Sequence, residues 1–301
     1  MIPQTTLARS STRIEGWQLD RDAPASVRFH PAPAHAGLVF TRSDLPGSPQ
    51  VECRVEHVTA LPRWSSLECG GLEVHHTEHI LAALAGCGLD NVVVELDGDR
   101  IPVVSGGSCL AFCRVLLDAG LVPLPEPRCV FLLKRPIDLA VALDLPAGAP
   151  AATTAQRLVL GLPASGFSAS YLFQVPALPD LRLGFAEFVE ERDDFHSALA
   201  SARTYYLRTE QSVVSELLSG ARHEYMVIDR DSSQEDVDEV ARHKLVDFWG
   251  DLRLLGKPVW GRFAAFRTGH RFHHDLIRTL VNEDYLETVE LSEGRVTHDY
   301  H

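Results

Sequence analysis

Residues 75–79 read HHTEH, three histidines and a glutamate in five positions. Imidazole and carboxylate are the usual oxygen and nitrogen ligands of zinc, so the cluster points to metal chemistry. Two readings of it are incompatible. In one, His75, Glu78 and His79 form the H-x-x-E-H pattern of a class of zinc peptidases, which needs both histidines on one helix. In the other, only Glu78 and His79 act, as base and single ligand, and the remaining ligands lie far away in the chain. The first reading requires a helix already formed at His75. Gly70, Gly71 and Val74 just before it argue against that. Thr77 is a good N-cap residue, with Glu78 and His79 in the first turn. His75 and His76 then belong to an incoming extended segment, as surface or hydrogen-bonded histidines.

A second group lies in a helical pattern over residues 237–255. His243, Asp247 and Asp251 are spaced four and four. Each step of four drifts only about 40° round a helix, so the three share one narrow stripe. An imidazole and a carboxylate one turn apart can bind one zinc together. Lys244 sits at the edge of the stripe, and Phe248, Leu252 and Leu255 continue as an apolar face. Such His/Asp pairs are also common on solvated helices, so the stripe alone leaves both readings open. His270 follows Gly269 at a turn out of a strand-like run, a common place for a functional side chain. His273 and His274 read as surface or packing residues. Nothing in propensity singles out Thr204.

These side chains need elements to hold them. Three prolines in PLPEPR, residues 123–128, read as a connector. Before it, GLVFTR and VECRVEHV are strand-like, a helix runs from Thr77 to about Ala85, DNVVVEL is a strand and Cys109–Ala119 a helix. After it, CVFLL, LAVALDL, RLVLGL and SASYLF are strand-like, and a helix is expected from Asp194 to Arg203. EYMVI and VWGRFAAF are strands, and His270–Val281 is a helix. Residues 142–155 form the most loop-like stretch. Runs of strands with a few helices indicate an α+β fold. Two α+β domains of similar architecture are expected, 1–124 and 125–301.

The bulk composition narrows the partners. The chain has 301 residues, 45% hydrophobic and 23% charged, enough for two ordinary domains. A net charge of −13 argues against nucleic-acid binding. No signal-like leader and no run of roughly 18 apolar residues is present, so a cytoplasmic protein without a membrane span is expected. The six cysteines, none in C-x-x-C spacing, read as buried free thiols.

Four stretches in order carry a resemblance: TEHILAALAGCGLDNVVVEL with IPVVSGGS, SARTYYLR, ARHKLVDFWGDL, and GRFAAFRTGH. Over nearly its whole length the chain resembles the UDP-3-O-acyl-N-acetylglucosamine deacetylases, zinc hydrolases of the lipid A pathway. The resemblance implies two α+β domains, each layering helices on a β-sheet, with the metal between them. It implies His79, His243 and Asp247 as zinc ligands and Glu78 as the base that takes a proton from water. Thr204 would stabilise the oxyanion, His270 paired with Asp251 would assist electrostatically and protonate the amine, and Lys244 would contact the polar or phosphate part of the substrate. Tyr205 and Leu207 would border the acyl passage. The expected cofactor is Zn2+, although iron(II) or cobalt suit the same ligands. The expected partner is a small-molecule amino sugar, nucleotide-linked, acted on by a monomer. The sequence departs from the family pattern at Gln18, where a histidine is usual, and at Ser105, where an aspartate is. It also departs at Tyr205, where a phenylalanine is usual, and in LSGARHEY, which replaces a glycine-rich stretch. These changes keep two other readings in view: a relative acting on a non-acylated amino sugar, and a binding or regulatory protein that has lost turnover. The H-x-x-E-H peptidase ranks below both.

Overall fold

The computed structural model describes residues 2–60, 63–142, 156–176, 178–210 and 225–292. The loop-like stretch beyond residue 142 and the LSGARHEY segment up to residue 224 lie outside them. The fold is mixed α+β. A five-stranded sheet runs in the order Ile14–Trp17, Pro24–Pro31, Val92–Leu96, Leu38–Arg42, Gln50–Glu52. Its centre is the β-branched run Val92–Leu96, antiparallel to one neighbour and parallel to the other. Val92, Val94 and Leu96 are wholly buried while Val93 and Glu95 are less so, the period-2 pattern of a pleated strand. The helices Glu78–Gly86 and Leu110–Ala119 belong to this part of the chain, and their buried apolar residues join its core.

From Cys129 onward seven strands form a second sheet around Val259–Phe266, which pairs with Gln156–Leu162, Phe167–Phe173 and Cys129–Leu133, while Tyr205–Leu207 and Met226–Ile228 pair with each other alone. The helix Gln234–Leu252 packs on Phe167–Phe173 and Gly184–Val189. Trp249 stacks on Phe167 at 4.9 Å and meets Phe188 and Phe195. A capping box fixes where this helix begins: Ser233 accepts from the Asp236 N–H, and Asp236 accepts from the Ser233 N–H. The helix therefore starts three residues before the expected Val237. Its second half is buried on every side, from Leu245 through Leu252. The His243–Asp247–Asp251 stripe thus lies inside the protein, where unpaired charge is costly. That rules out the solvated reading of the stripe. Among the described residues, no helix is long and apolar enough to cross a membrane.

Several expectations are corrected. Residues 121–127 are not a loose connector but a strand, antiparallel to Pro3–Leu7. Its prolines are tolerated because the pair forms a two-stranded ribbon with an open edge, where a missing N–H breaks no second ladder. Position 124 falls within this strand. The helix expected from Asp194 to Arg203 is a single turn, Phe195–Ala198, capped by Asp194. The chain then turns so that the Thr204 N–H reaches the Gly106 carbonyl. VECRVEHV is interrupted by a 3-10 turn at Val55–His57. Thr77 precedes the helix at Glu78, yet its side chain does not cap it. Its backbone is already helical, and its hydroxyl donates to the Ser65 carbonyl at 3.3 Å. All six cysteines are free, but Cys69 is exposed and Cys87 and Cys129 only half-buried.

The helices Glu78–Gly86 and Gln234–Leu252 cross at Gly250. A β-carbon there would lie 2.0 Å from the Glu78 carbonyl oxygen. Backbone meets backbone, so no side chain can move aside. Gly250→Ala is expected to cost about 2–3 kcal/mol of unfolding free energy through forced separation of the helices. Urea denaturation reads this directly; an unchanged midpoint would contradict the close crossing.

Candidate metal centre

The crossing at Gly250 carries His79 to the stripe on the long helix. Ligand atoms of His79, His243 and Asp247 all lie within 4.8 Å of one another. His79 Nε2 is 3.1 Å, and His243 Nε2 3.6 Å, from Asp247 Oδ1. Adjacent ligands of a tetrahedral zinc, at bond lengths near 2.0–2.1 Å, are about 3.3 Å apart. The donor set fits such an ion and leaves a fourth position open.

The charges fit as well. Burial, only partly offset by Asp247, pulls the His243 imidazole down to about 3, so it keeps a free lone pair at neutral pH. Burial would raise the Asp247 carboxyl, but Lys244, then His243 and His270, hold it well below the usual carboxylate range. Its two oxygens are divided: Oδ1 faces the imidazoles, and Oδ2 accepts from Lys244 Nζ at 2.8 Å. Burial opposes the Lys244 charge, yet Asp247 more than compensates and the ammonium stays protonated. Lys244 thus orients the carboxylate from behind, as partners of metal ligands commonly do.

Glu78 is buried beside this group, and its Oε2 accepts from the Ser65 N–H at 3.0 Å. Burial raises its pKa, against the opposing influence of His270 and His79. Asp251, one turn beyond Asp247, accepts from His270 Nδ1 at 2.8 Å. His270 Nε2 lies 3.7 Å from Asp247 Oδ2. Burial works against the His270 cation, but Asp251, Asp247 and Glu78 raise it to about 9. These carboxylates also offset the unfavourable placement of a cation at the first position of helix His270–Asn282.

Asp251, His270 and His273 form a second group close enough to share an ion. Their N–O separations of 2.8 and 2.6 Å are hydrogen-bond lengths, shorter than the spacing of two ligands round a metal. This group is a carboxylate between two imidazoles.

Tyr205 borders the centre, its ring 6.1 Å from that of His243 and 5.6 Å from Lys244 Nζ. Thr204 precedes it, its backbone tied to Gly106 and Met226. The Thr204 side chain lies against Gly107, where a β-carbon would come within 2.3 Å of its hydroxyl. Leu207, at the end of the same short strand, packs against the core. His75 and His76 stand apart from the ligands. His75 Nδ1 bonds Ser66 Oγ at 2.8 Å. His76 is buried with φ of 65° and lies against Trp64, the ring centroids 4.4 Å apart. The neighbours that sequence reasoning missed are Ser65, His273 and His274. The i, i+3, i+4 spacing of His270, His273 and His274 placed all three on one helix face, and that signal could have found two of them. Ser65 carried none.

An α+β protein with two imidazoles and a carboxylate converging from distant segments, and a buried glutamate beside them, has the makings of a mononuclear metal hydrolase. Comparison with known sequences narrows this. The family described as UDP-3-O-acyl N-acetylglycosamine deacetylase matches residues 4–282, and the chain belongs to it. Relatives named UDP-3-O-acyl-N-acetylglucosamine deacetylase include that of Anaeromyxobacter dehalogenans, 31% identical, with 92% of this chain and 87% of the relative aligned. Others come from Psychrobacter cryohalolentis, 29% identical over 91% and 84%, and Thermosynechococcus vestitus, 29% identical over 93% and 94%.

Proposed function

We propose that the chain is a zinc-dependent deacetylase that hydrolyses the N-acetyl group of UDP-3-O-acyl-N-acetylglucosamine. The observation that carries this is the approach of His79 and His243 to one oxygen of Asp247, from segments more than 160 residues apart, in a member of that family. Zinc held there would supply Lewis acidity, polarising the amide carbonyl and bringing the pKa of a water toward about 7. Glu78, whose raised pKa suits a proton acceptor, takes the proton from the attacking water. The Thr204 hydroxyl donates to the oxyanion as it develops. The His270 cation faces the growing negative charge and then donates its Nε2 proton to the leaving amine. Lys244 keeps two N–H donors beyond the one spent on Asp247, and these serve the polar end of the substrate. Tyr205 and Leu207 border the sugar and its acyl chain. The products are acetate and a free amino sugar. In this reading residues 1–124 and 125–301 are two domains, and the site lies between them.

A second reading has a specific observation behind it. Arg63 pairs with Glu210 at 3.7 Å, and Glu210 also accepts from the Leu207 N–H. Charge beside Leu207 suits a substrate without an acyl chain.

The test is acetate release from acylated and non-acylated UDP-N-acetylglucosamine across a range of pH. Turnover of the acylated compound is expected; hydrolysis of neither would refute the proposal, and preference for the non-acylated one would establish the second reading. Activity should be lost at low pH, where Glu78 gains a proton; burial moves that point up and a dication on His79 moves it back. It should also be lost at high pH, where His270 gives one up. Without a metal that proton is held to about 9. A dication on Asp247 removes part of the support, so the alkaline limb is expected between the ordinary value near 6.5 and about 9.

A further inference from the structure

Asp251 is wholly buried and takes hydrogen bonds from three sides, of which His270 is only one. Ser65 Oγ approaches Oδ1 at 2.5 Å, and His273 Nδ1 approaches Oδ2 at 2.6 Å. We propose that Ser65 and His273 are positioning residues that fix the Asp251 carboxylate so that His270 is aimed at the reacting group. The inference rests on the deacetylase reading for what His270 does, and on geometry alone for how it is held.

An ionised carboxylate only accepts, so all three neighbours must donate to it. That requirement assigns the remaining protons. His273 carries its proton on Nδ1, and its Nε2 accepts from the Thr268 hydroxyl at 2.8 Å. The Thr268 carbonyl in turn accepts from the Tyr171 hydroxyl at 2.7 Å. Ser65 spends its one proton on Asp251, so its oxygen accepts from His274 Nε2 at 2.7 Å. His274 Nδ1 is then a bare lone pair, in keeping with its lack of a partner among the described residues. One set of directions accommodates every hydrogen bond in the network. Burial keeps His273 below its ordinary pKa and His274 at about 4, so neither adds a charge to compete with His270.

Both carboxylate oxygens are therefore held, and rotation of the group would break at least one bond in the dry interior. Ser65 has a second hold: its backbone N–H bonds Glu78. One residue thus sets the spacing between the glutamate and the Asp251–His270 pair. The Ser65 peptide is itself held by Thr77, whose N–H and hydroxyl both reach its carbonyl.

The test pairs a disruptive with a conservative change at each position in the zinc-loaded full chain: His273→Leu with His273→Asn, and Ser65→Ala with Ser65→Thr. The disruptive variants are expected to lower kcat on UDP-3-O-acyl-N-acetylglucosamine about 10- to 100-fold, the scale seen when partners of a metal site are removed. KM and zinc content should be unchanged, and asparagine and threonine, which still donate, should recover most of the loss. Independently of turnover, the His270 Nδ1 proton resonance should shift in His273→Leu and return in His273→Asn. Wild-type kcat in both disruptive variants, a loss the conservative ones do not recover, or an unmoved resonance overturns the inference. If His273→Leu fails to fold, the Ser65 pair decides. A wild-type chain that releases no acetate refutes the deacetylase reading, while the resonance still decides whether His270 is held as described.

Discussion

Asp247→Ala is expected to yield a protein without stoichiometric zinc that releases acetate at least about 1,000-fold more slowly than the parent. A bound metal contributes several kcal/mol of charge stabilisation in the transition state, and each 1.4 kcal/mol is tenfold in rate. Asp247 Oδ1 is the oxygen that both His79 and His243 approach, so its removal takes away the point where the ligand set meets. The substitution also strands Lys244, whose ammonium would be left in the interior without its 2.8 Å partner. Breaking a buried ion pair by deleting one side costs about 3–5 kcal/mol, so a lowered melting temperature should accompany metal loss. Asp247→Asn separates the two effects: it keeps a hydrogen-bond acceptor for Lys244 and removes the anionic ligand. His75→Ala is the control. Its ring is engaged by Ser66 and Glu73, not by the ligand group, and zinc should stay bound. Metal analysis of the three proteins decides between the two ways of reading HHTEH. Zinc lost from His75→Ala and kept in Asp247→Ala would establish the peptidase pattern instead.

Glu78→Gln is expected to lower kcat about 100- to 10,000-fold while zinc remains bound, because an amide cannot take the proton from water. The acid limb of the pH profile should disappear with it. The Ser65 N–H can still donate to the amide oxygen, so the local geometry is kept. In the metal-free protein stability should hold or rise, and the sign follows from linkage. Burial raises the Glu78 pKa in the folded protein. Above the unfolded pKa its charge therefore opposes folding, and a neutral amide removes that opposition. A variant that is more stable yet inactive is what a functional carboxylate in a dry site predicts. A fall in activity matched by equal loss of zinc or of stability would place Glu78 in the scaffold instead.

Much of this molecule was legible in the chain. Alternating and β-branched runs marked Val92–Leu96 and Val259–Phe266 because a strand buries every second residue. The four-residue spacing put His243, Asp247 and Asp251 on one stripe because a helix returns to nearly the same face after that step. Thr77–Glu78–His79 marked a helix start, although the threonine caps nothing. The errors have physical causes too. The prolines at 123–127 signalled a break, but proline is excluded only from strands paired on both sides. The helix expected from Asp194 ended after one turn because the chain had to reach Gly106.

By itself, then, the sequence determined the side-chain types available for metal chemistry, the local elements and the face on which each residue falls, since these depend on neighbours a few positions away. Only the tertiary structure decided that the stripe is buried and that His79 meets it. That depends on two backbones crossing where Gly250 has no side chain. The contacts that Ser65 and His273 make with Asp251, and His274 with Ser65, were decided there as well. A serine or histidine becomes part of a site through what packs against it, and Asp251 lies 186 residues from Ser65 in the chain.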